Sequence, residues 1–194
     1  MLKIGITGGI GGGKTTSCKL FELLGIPVYY SDDASKELLQ SNAVVKAHVL
    51  DVFGNSILDQ QGAVDRKTLA AIVFNDKTEL DKLNAIMHPA VALHFEHWIK
   101  KQTAPYILKE AAILFESGAY QKVDSVITVV APLELKINRT IKRDGLPKED
   151  ILVRIQNQLS DDEKIKRSEF VIYNDEQQLL IPQILKIHSL ILNK

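Results

Sequence analysis

Short apolar runs alternate with longer amphipathic stretches along most of this chain. Five runs rich in β-branched, aliphatic or aromatic residues predict strands, at residues 2–7, 26–30, 105–112, 124–130 and 169–174, and the third of these begins with the apolar residues 105–108. The fourth run is apolar at nearly every position, as expected for a strand buried on both faces. Because helical patterns separate the strands, the chain predicts an α/β fold, with a five-stranded parallel sheet covered by helices on both faces.

The longest helical region lies between the second and third predicted strands. Apolar residues recur there at helical spacing, namely Leu69, Ile72, Val73, Phe74, Leu80, Leu83, Ile86 and Met87. A last helix, predicted over Glu176–Asn193, would pack on the sheet through Leu180, Ile184, Ile187 and Ile191. We therefore expect a single domain over residues 1–194, with a core at 1–31, 104–135 and 168–194 and a helical insertion at about 32–98.

Composition excludes several classes of protein. The 194 residues are 45% hydrophobic and 25% charged, which is ordinary for a globular protein. Twenty-four basic and twenty-four acidic residues cancel, so no overall positive field exists to attract nucleic acid. The single cysteine, Cys18, excludes an internal disulfide and a cysteine-based metal cluster. No signal-peptide pattern and no membrane-spanning apolar run occur, so we expect a cytoplasmic protein without a membrane partner.

The candidate chemistry is concentrated where the first strand ends. Gly8 to Thr15 fits the phosphate-binding pattern G-x-x-x-x-G-K-[ST]. Its glycines allow backbone N–H groups to converge on an anion at the start of a helix predicted over Lys14–Leu24. Lys14 can reach the outer phosphates of a nucleotide, and the Thr15 hydroxyl can hold Mg²⁺. The pattern therefore predicts a triphosphate site, against the alternative of a glycine turn that only joins a strand to a helix.

Two carboxylates follow the second predicted strand. Asp32 and Asp33 stand at its carboxyl end, where ligands bind in open α/β sheets. One of them could accept a proton from an attacking hydroxyl group. The alternative is that Ser31 or Asp32 caps a helix that begins near Ala34. Beside a phosphate loop we favour the catalytic interpretation.

A charged segment between the fourth and fifth predicted strands offers cations. A helix predicted over residues 132–142 places Arg139 and Arg143 four positions apart on one face, before Asp144 and Gly145. Phosphoryl transfer needs mobile cations that close over the transferring group and exclude water. We therefore predict a lid at about residues 136–165, although a solvated helix of alternating charge would give the same pattern.

Two further motifs carry less weight. His94 and His97 flank Glu96 and suggest a metal site, but such a pair on an amphipathic helix is usually unliganded. The D-x-x-G strings at residues 51–54 and 59–62 do not follow an apolar strand, and a guanine-specifying N-K-x-D motif is absent from the sequence. A GTP-dependent switch is therefore disfavoured.

Several short motifs, spread over nearly the whole chain, are more specific. They are Ile6–Thr16, Asp65-Arg66, His88-Pro89, Leu114–Gly118, Arg139–Gly145 and Arg154–Gln158. Together they resemble the motifs of the dephospho-CoA kinase family, whose members use ATP to phosphorylate the ribose 3′-hydroxyl of 3′-dephospho-CoA and so complete coenzyme A. The Thr-Gly-Gly-Ile-Gly opening of the loop is much more particular to this family than the general phosphate-loop pattern.

The resemblance implies a P-loop kinase fold and a role for each matching residue. The ATP phosphates would be wrapped by Gly11, Gly12, Gly13, Lys14, Thr15 and Thr16. Within that loop Lys14 would contact the β- and γ-phosphates and Thr15 would hold Mg²⁺. Asp32 would be the base toward the 3′-hydroxyl, Arg139 and Arg143 would belong to the lid, and the helical insertion would hold the CoA moiety. We expect a monomer that acts on this small molecule with ATP and Mg²⁺.

The chain departs from the family pattern beside the base. Tyr30 takes the place of the first aspartate in an Asp-Ala-Asp segment and Asp33 follows Asp32, so the base is either Asp32 or Asp33. A nucleoside or nucleotide kinase of the same fold is the alternative enzyme. The large helical insertion favours the longer acceptor, dephospho-CoA.

Overall fold

The computed structural model describes residues 1–73 and 76–194. These residues form two compact units, of which the first comprises Met1–Tyr30 with Gln102–Lys194 and the second comprises Ser31–Lys101. Each unit has an apolar core of its own. Phe74, one of the apolar positions expected on a helix face, lies outside the described residues.

The first unit is built on a five-stranded sheet. Its strands are β1 (Leu2–Thr7), β2 (Val28–Tyr30), β3 (Tyr106–Glu110), β4 (Ser125–Val130) and β5 (Phe170–Tyr173). The strand order is β2-β3-β1-β4-β5, and every pairing is parallel. The predicted α/β fold with a five-stranded parallel sheet is therefore confirmed. Because β1 is the central strand, the loop that follows it emerges at the middle of the sheet's carboxyl edge.

The helices divide between the two units. In chain order they are α1 (Lys14–Leu23), α2 (Ser31–Ser41), α3 (Ala43–Phe53), α4 (Arg66–Val73), α5 (Lys77–Ile99), α6 (Leu133–Asp144), α7 (Lys148–Gln156), α8 (Asp161–Lys166) and α9 (Leu180–Leu192). Helices α2 to α5 make up the second unit, and the others belong to the first. No helix among residues 1–73 and 76–194 is both long and apolar enough to span a membrane.

Successive side chains of a strand point to opposite sides of the sheet, and apolar residues pack on both sides. On one face Ile4, Ile6 and Ile127 pack with Cys18 and Phe21 of α1 and with the buried isoleucines of α9. On the other face an apolar cluster contains Ala111, Leu114, Phe115 and Val126. All six residues of β4 are buried, which explains its continuous apolar sequence.

The second unit is held by apolar contacts and by polar side chains at its helix starts. Leu38, Val49, Leu69 and Met87 belong to its buried cluster. At the start of α4, Asp65 accepts hydrogen bonds from Thr68 Oγ1 (2.6 Å) and Lys67 N (2.9 Å). Such capping bonds satisfy donors that the helix itself leaves unpaired.

Two helix starts differ by three or more positions from those that the sequence predicts. Helix α9 begins at Leu180 rather than near Glu176, because Glu176 has a left-handed backbone (φ 65) that interrupts a helix. The side chain of Asp175 accepts hydrogen bonds from Gln177 N and Gln178 N in the turn before it. Helix α2 begins at Ser31, earlier than the expected start near Ala34.

Candidate active site

The loop between β1 and α1 has the form of a phosphate-binding loop. Residues Gly8–Gly13 leave the sheet after Thr7, and α1 begins at Lys14. Lys14 Nζ donates hydrogen bonds to Gly8 O (2.9 Å) and Gly9 O (3.2 Å). The ammonium group therefore lies over the loop's own carbonyl oxygens. The hydroxyl-bearing residues Thr15 and Thr16 follow on the exposed first turn of α1.

Two glycines of the loop permit close contact with neighbouring groups. Gly11 (φ 72) lies so close to α6 that a Cβ there would be 2.2 Å from Lys136 O. Gly13 (φ 97) lies beside Asn174, and a Cβ there would be 1.9 Å from Asn174 Nδ2. Both positions combine a left-handed backbone with a lack of space, so a larger residue would displace the loop.

Side chains from distant parts of the sequence hold this loop. Ile10 N donates to Gln158 Oε1 (3.1 Å), and Asn174 Nδ2 donates to Gly12 O (3.0 Å). Sequence reasoning gave neither side chain a contact with the loop. Gln158 ends the motif Arg154–Gln158, whereas the sequence predicts Asn174 only as the last residue of a strand.

Two buried ion pairs hold the predicted lid, one within the segment and one to Glu116 of the first unit. Lys136 Nζ lies 2.7 Å from Asp161 Oδ2, with only 8% of the Lys136 side chain exposed. Lys164 is fully buried, and its Nζ lies 3.2 Å from Glu116 Oε1 without the geometry of a hydrogen bond. Glu116 Oε1 also accepts from Leu159 N (2.8 Å). Both ends of the segment at 136–165 are therefore anchored.

A pocket of about 220 Å³ adjoins the phosphate loop. It is lined by residues that include Gly9, Lys136, Gln158, Ser160 and Asp161. The Lys136–Asp161 pair thus forms part of its wall. This arrangement brings one cation and one anion of the lid segment to the start of the loop.

The two predicted lid arginines share helix α6 but have different partners. Arg139 donates through Nη1 to Asn174 O (3.1 Å) and through Nη2 to Glu176 Oε1 (2.9 Å). Arg143 donates through Nε and Nη2 to the two carboxylate oxygens of Asp144, both at 2.7 Å. Hydrogen bonding from Arg143 lowers the pKa of Asp144 below its ordinary value. Arg139 is therefore tied to the segment after β5, whereas Arg143 is held by its own neighbour in sequence.

The two candidate bases lie in the first turn of α2, within the second unit. Both Asp32 and Asp33 are exposed. Asp33 Oδ1 lies 2.6 Å from Lys36 Nζ in an exposed ion pair. Because α2 begins at Ser31, Asp32 is inside the helix, where a carboxylate in the first turn is electrostatically favourable. Among the described residues, no cluster of three or more His, Cys, Asp or Glu side chains is arranged for a metal ion.

Glu110 is an acidic residue that sequence reasoning did not single out. It ends β3, pairs in register with Ile6 of β1, and is 7% exposed. The pKa of the Cys18 thiol is raised by burial and then by the carboxylates of Glu110 and Glu22, whereas Lys14 opposes the shift. Glu110 and Lys14 therefore lie within electrostatic reach of the same thiol. A charged residue at the end of an apolar run was the only sequence feature that pointed to it.

A parallel sheet whose central strand leads into a glycine loop, a lysine and a helix defines a P-loop nucleotide-binding protein of the α/β class. Residues 2–179 match the family model described as dephospho-CoA kinase. The dephospho-CoA kinase of Bacteroides fragilis (strain YCH46) is 41% identical over 194 residues, which cover 100% of this chain and 94% of that protein. The chain therefore belongs to the dephospho-CoA kinase family.

Another relative and three solved structures are also similar to this chain. The dephospho-CoA kinase of Fusobacterium nucleatum is 38% identical over 172 residues, which cover 89% of each chain. The crystal structure of TT1252 from Thermus thermophilus matches with a TM-score of 0.88 at 31% identity, covering 97% of this chain and 96% of that one. The dephospho-CoA kinase from Campylobacter jejuni matches with a TM-score of 0.70 at 27% identity, covering 98% and 97%. A shikimate kinase from Acinetobacter baumannii (TM-score 0.56, 19% identity) shares the fold.

Proposed function

We propose that this protein transfers the γ-phosphoryl group of ATP to the 3′-hydroxyl of 3′-dephospho-CoA and so forms coenzyme A and ADP, the last step of coenzyme A synthesis. The observation that carries the proposal is the phosphate loop, in which Lys14 lies over the carbonyls of Gly8 and Gly9. Full-length similarity to dephospho-CoA kinases supports this acceptor over that of a nucleoside or nucleotide kinase. We expect the enzyme to act as a monomer in the cytoplasm.

The nucleotide side of the reaction is assigned to the loop. The ATP phosphates would be bound by Gly11, Gly12, Gly13, Lys14, Thr15 and Thr16. Lys14 Nζ would exchange its bonds to Gly8 O and Gly9 O for oxygens of the β- and γ-phosphates. The backbone N–H groups at the start of α1 would donate to the remaining phosphate oxygens.

The residues around the loop fit a Mg²⁺ ion. Thr15 is exposed at the start of α1. Glu110, which carries a carboxylate, is the last residue of β3, the strand next to β1. Oxygen ligands of this kind, few in number and completed by phosphates and water, are what Mg²⁺ prefers. When bound, the ion would neutralise charge on the β- and γ-phosphate oxygens.

The acceptor side is assigned to the second unit. Its helices would bind the CoA moiety, and Asp32 would accept the proton of the 3′-hydroxyl while that oxygen bonds to the γ-phosphorus and the bond to ADP breaks. Asp33 is the alternative base, but it is paired with Lys36. Arg139 and Arg143 would stabilise the charge on the transferring group as lid residues.

The proposal is tested by ADP release from Mg·ATP with 3′-dephospho-CoA as acceptor. Parallel reactions contain adenosine, AMP, cytidine, shikimate or no acceptor. Stimulation by dephospho-CoA alone is the expected result. Stimulation by a different acceptor would support a kinase but refute the acceptor assignment. No acceptor-dependent ADP release with any of these compounds would refute the assignment as a kinase.

The choice of base is tested by two matched variants. Asp32→Asn should lower kcat by about 10²-fold, since general-base catalysis contributes that order of magnitude, and should leave ATP binding nearly unchanged. Asp33→Asn removes an equivalent carboxylate one position away and should have little effect. Steady-state kinetics for both substrates measure this. The reverse pattern would move the base to Asp33.

A further inference from the structure

Asn174, which follows β5, makes three hydrogen bonds that join separate parts of the first unit. Its backbone N–H donates to Val130 O (2.8 Å), its side-chain Nδ2 donates to Gly12 O (3.0 Å), and its backbone oxygen accepts from Arg139 Nη1 (3.1 Å). The first and third bonds fix the backbone of Asn174 on both sides of the residue. Its side chain is therefore aimed at the phosphate loop by the fold itself.

The carbonyl that Asn174 binds belongs to the peptide group between Gly12 and Gly13. A peptide group is planar and trans, so its C=O and its N–H point in opposite directions. A donor that holds the Gly12 oxygen toward Asn174 consequently turns the Gly13 N–H to the other side of the loop backbone. That N–H is among the donors assigned above to phosphate binding.

The loop and Asn174 fit each other closely. Gly13 has φ 97, and a Cβ at this position would lie 1.9 Å from Asn174 Nδ2. The amide can reach Gly12 O because residue 13 has no side chain. The contact therefore depends on the same glycine that the phosphate-loop pattern requires.

We propose that Asn174 is a positioning residue for the phosphate loop. By holding the Gly12 carbonyl, it presets the Gly13 N–H for the β-phosphate of a nucleotide. The inference rests on the proposed function, since it assumes that this loop binds nucleotide phosphates. It predicts that Asn174 affects the affinity for ATP but not for AMP, which has no β-phosphate.

The test uses Asn174→Asp in the full-length protein. This near-isosteric change replaces the Nδ2 donor with an oxygen that repels Gly12 O and adds a negative charge, so we expect the Kd for ATP to rise at least roughly three- to tenfold, the value of one hydrogen bond. The Kd for AMP should not change. Titration calorimetry without an acceptor measures both constants, and the same variant should raise KM for ATP without changing KM for dephospho-CoA.

Asn193→Asp is the matched control. Asn193 Nδ2 also donates to a backbone carbonyl, that of Ser189 (2.9 Å), but at the end of α9. There the neighbouring Lys194 pairs with Glu169, which precedes β5, so this site is at the opposite edge of the sheet from the loop. The control should retain the wild-type ratio of the two dissociation constants. Asn174→Ala removes the same donor without adding a charge, so its Kd for ATP should rise roughly three- to tenfold while its Kd for AMP does not change. This variant separates loss of the hydrogen bond from charge repulsion, and melting temperatures of both variants check that they are folded.

The outcomes separate this inference from the proposed function. Unchanged ATP affinity in a folded Asn174 variant, or an equal loss of ATP and AMP affinity, would overturn the positioning role alone. Wild-type protein that binds ATP but does not phosphorylate dephospho-CoA would overturn the acceptor assignment alone. The positioning role would still be decided by the Kd values of the Asn174 variants for ATP and AMP. Wild-type protein that does not bind ATP would overturn both.

Discussion

The phosphate loop and the arginine segment, residues 139–145, lie in the same unit but are held in different ways. The loop is contacted by side chains as far away in sequence as Asn174, which is 162 positions from Gly12. At the far end of the arginine segment, the side chain of Arg143 is 60% exposed and is paired with the adjacent residue, Asp144. One region is fixed by the fold, and the other is held by a local surface contact.

This difference matches the roles proposed for the two regions, which are phosphate binding for the loop and closure for the arginine segment. A loop packed against Lys136 and Asn174 can present its N–H groups without first reorganising. An exposed ion pair contributes only about 0–1 kcal/mol, so Arg143 can exchange Asp144 for a phosphate oxygen at small cost. Arg139, with two partners after β5, is intermediate between these cases.

The largest expected effect tests the preorganised region. Lys14→Ala removes the ammonium group proposed to bind the β- and γ-phosphates and should lower kcat by about 10³-fold or more. The fold should persist, because Lys14 is not in the apolar core. Single-turnover kinetics measure the loss, and Lys19→Ala, an exposed lysine on the same helix, is the control. Near-normal turnover of Lys14→Ala would refute the proposed role of Lys14 and the loop in phosphoryl transfer.

A smaller effect tests the arginine segment. Arg143→Ala should lower kcat by about 10²-fold, because it removes a positive charge proposed to stabilise the transition state. Its free energy of unfolding should change by less than about 1 kcal/mol, since the pair with Asp144 is exposed. The control is Arg167→Ala, which removes an arginine that follows the predicted lid and breaks its exposed ion pair with Glu163. A large loss of stability with normal kcat would show that Arg143 stabilises the fold and does not take part in catalysis.

Two glycine substitutions compare the regions through stability alone. Gly11 and Gly145 have similar backbones, with φ 72 and φ 67, but a Cβ at Gly145 would meet nothing within 4 Å. Gly145→Ala should cost about 1–2 kcal/mol for the left-handed backbone. Gly11→Ala should cost about 1–3 kcal/mol more, because its methyl group meets Lys136 O. Urea unfolding measures both, and equal costs would contradict the close packing of the loop.

The smallest expected effect is a change in titration. Arg143 lowers the pKa of Asp144, so the pair stabilises the fold above the ordinary Asp pKa of about 3.9 and is lost as the pH falls through the lowered value. In Arg143→Ala, the pKa of Asp144 should rise toward its ordinary value. Carboxyl NMR titration of the two proteins checks this. An unchanged pKa would show that the pair does not form in solution.

The local features of this protein were predictable, and its long-range contacts were not. The apolar run at 124–130 predicted β4 almost to the residue, because a strand buried on both faces must be apolar throughout. The loop and Lys14 follow from a short contiguous motif. The predicted start of α9 was wrong because a left-handed backbone is usually signalled by glycine, and the residue that adopts it here is Glu176.

The sequence did not predict the contacts that form when segments distant in sequence pack together. Asn174 and Gln158 touch the loop across 162 and 148 sequence positions, and no periodicity encodes such a meeting. Glu110 was overlooked because it belongs to a strand that was otherwise identified by its apolar residues. The strand order, which places β3 beside β1, gives Glu110 its position near the loop.

The burial of Cys18 gives the protein an internal reporter. This is the only thiol of the sequence, it is 0% exposed, and its pKa is raised, so a thiol reagent meets neither an accessible nor an ionised sulfur in the folded state. Labelling must wait until α1 separates from the sheet. Because α1 also carries Lys14 and Thr15, the rate of labelling reports how often the phosphate-binding end of the native protein opens, without any engineered probe.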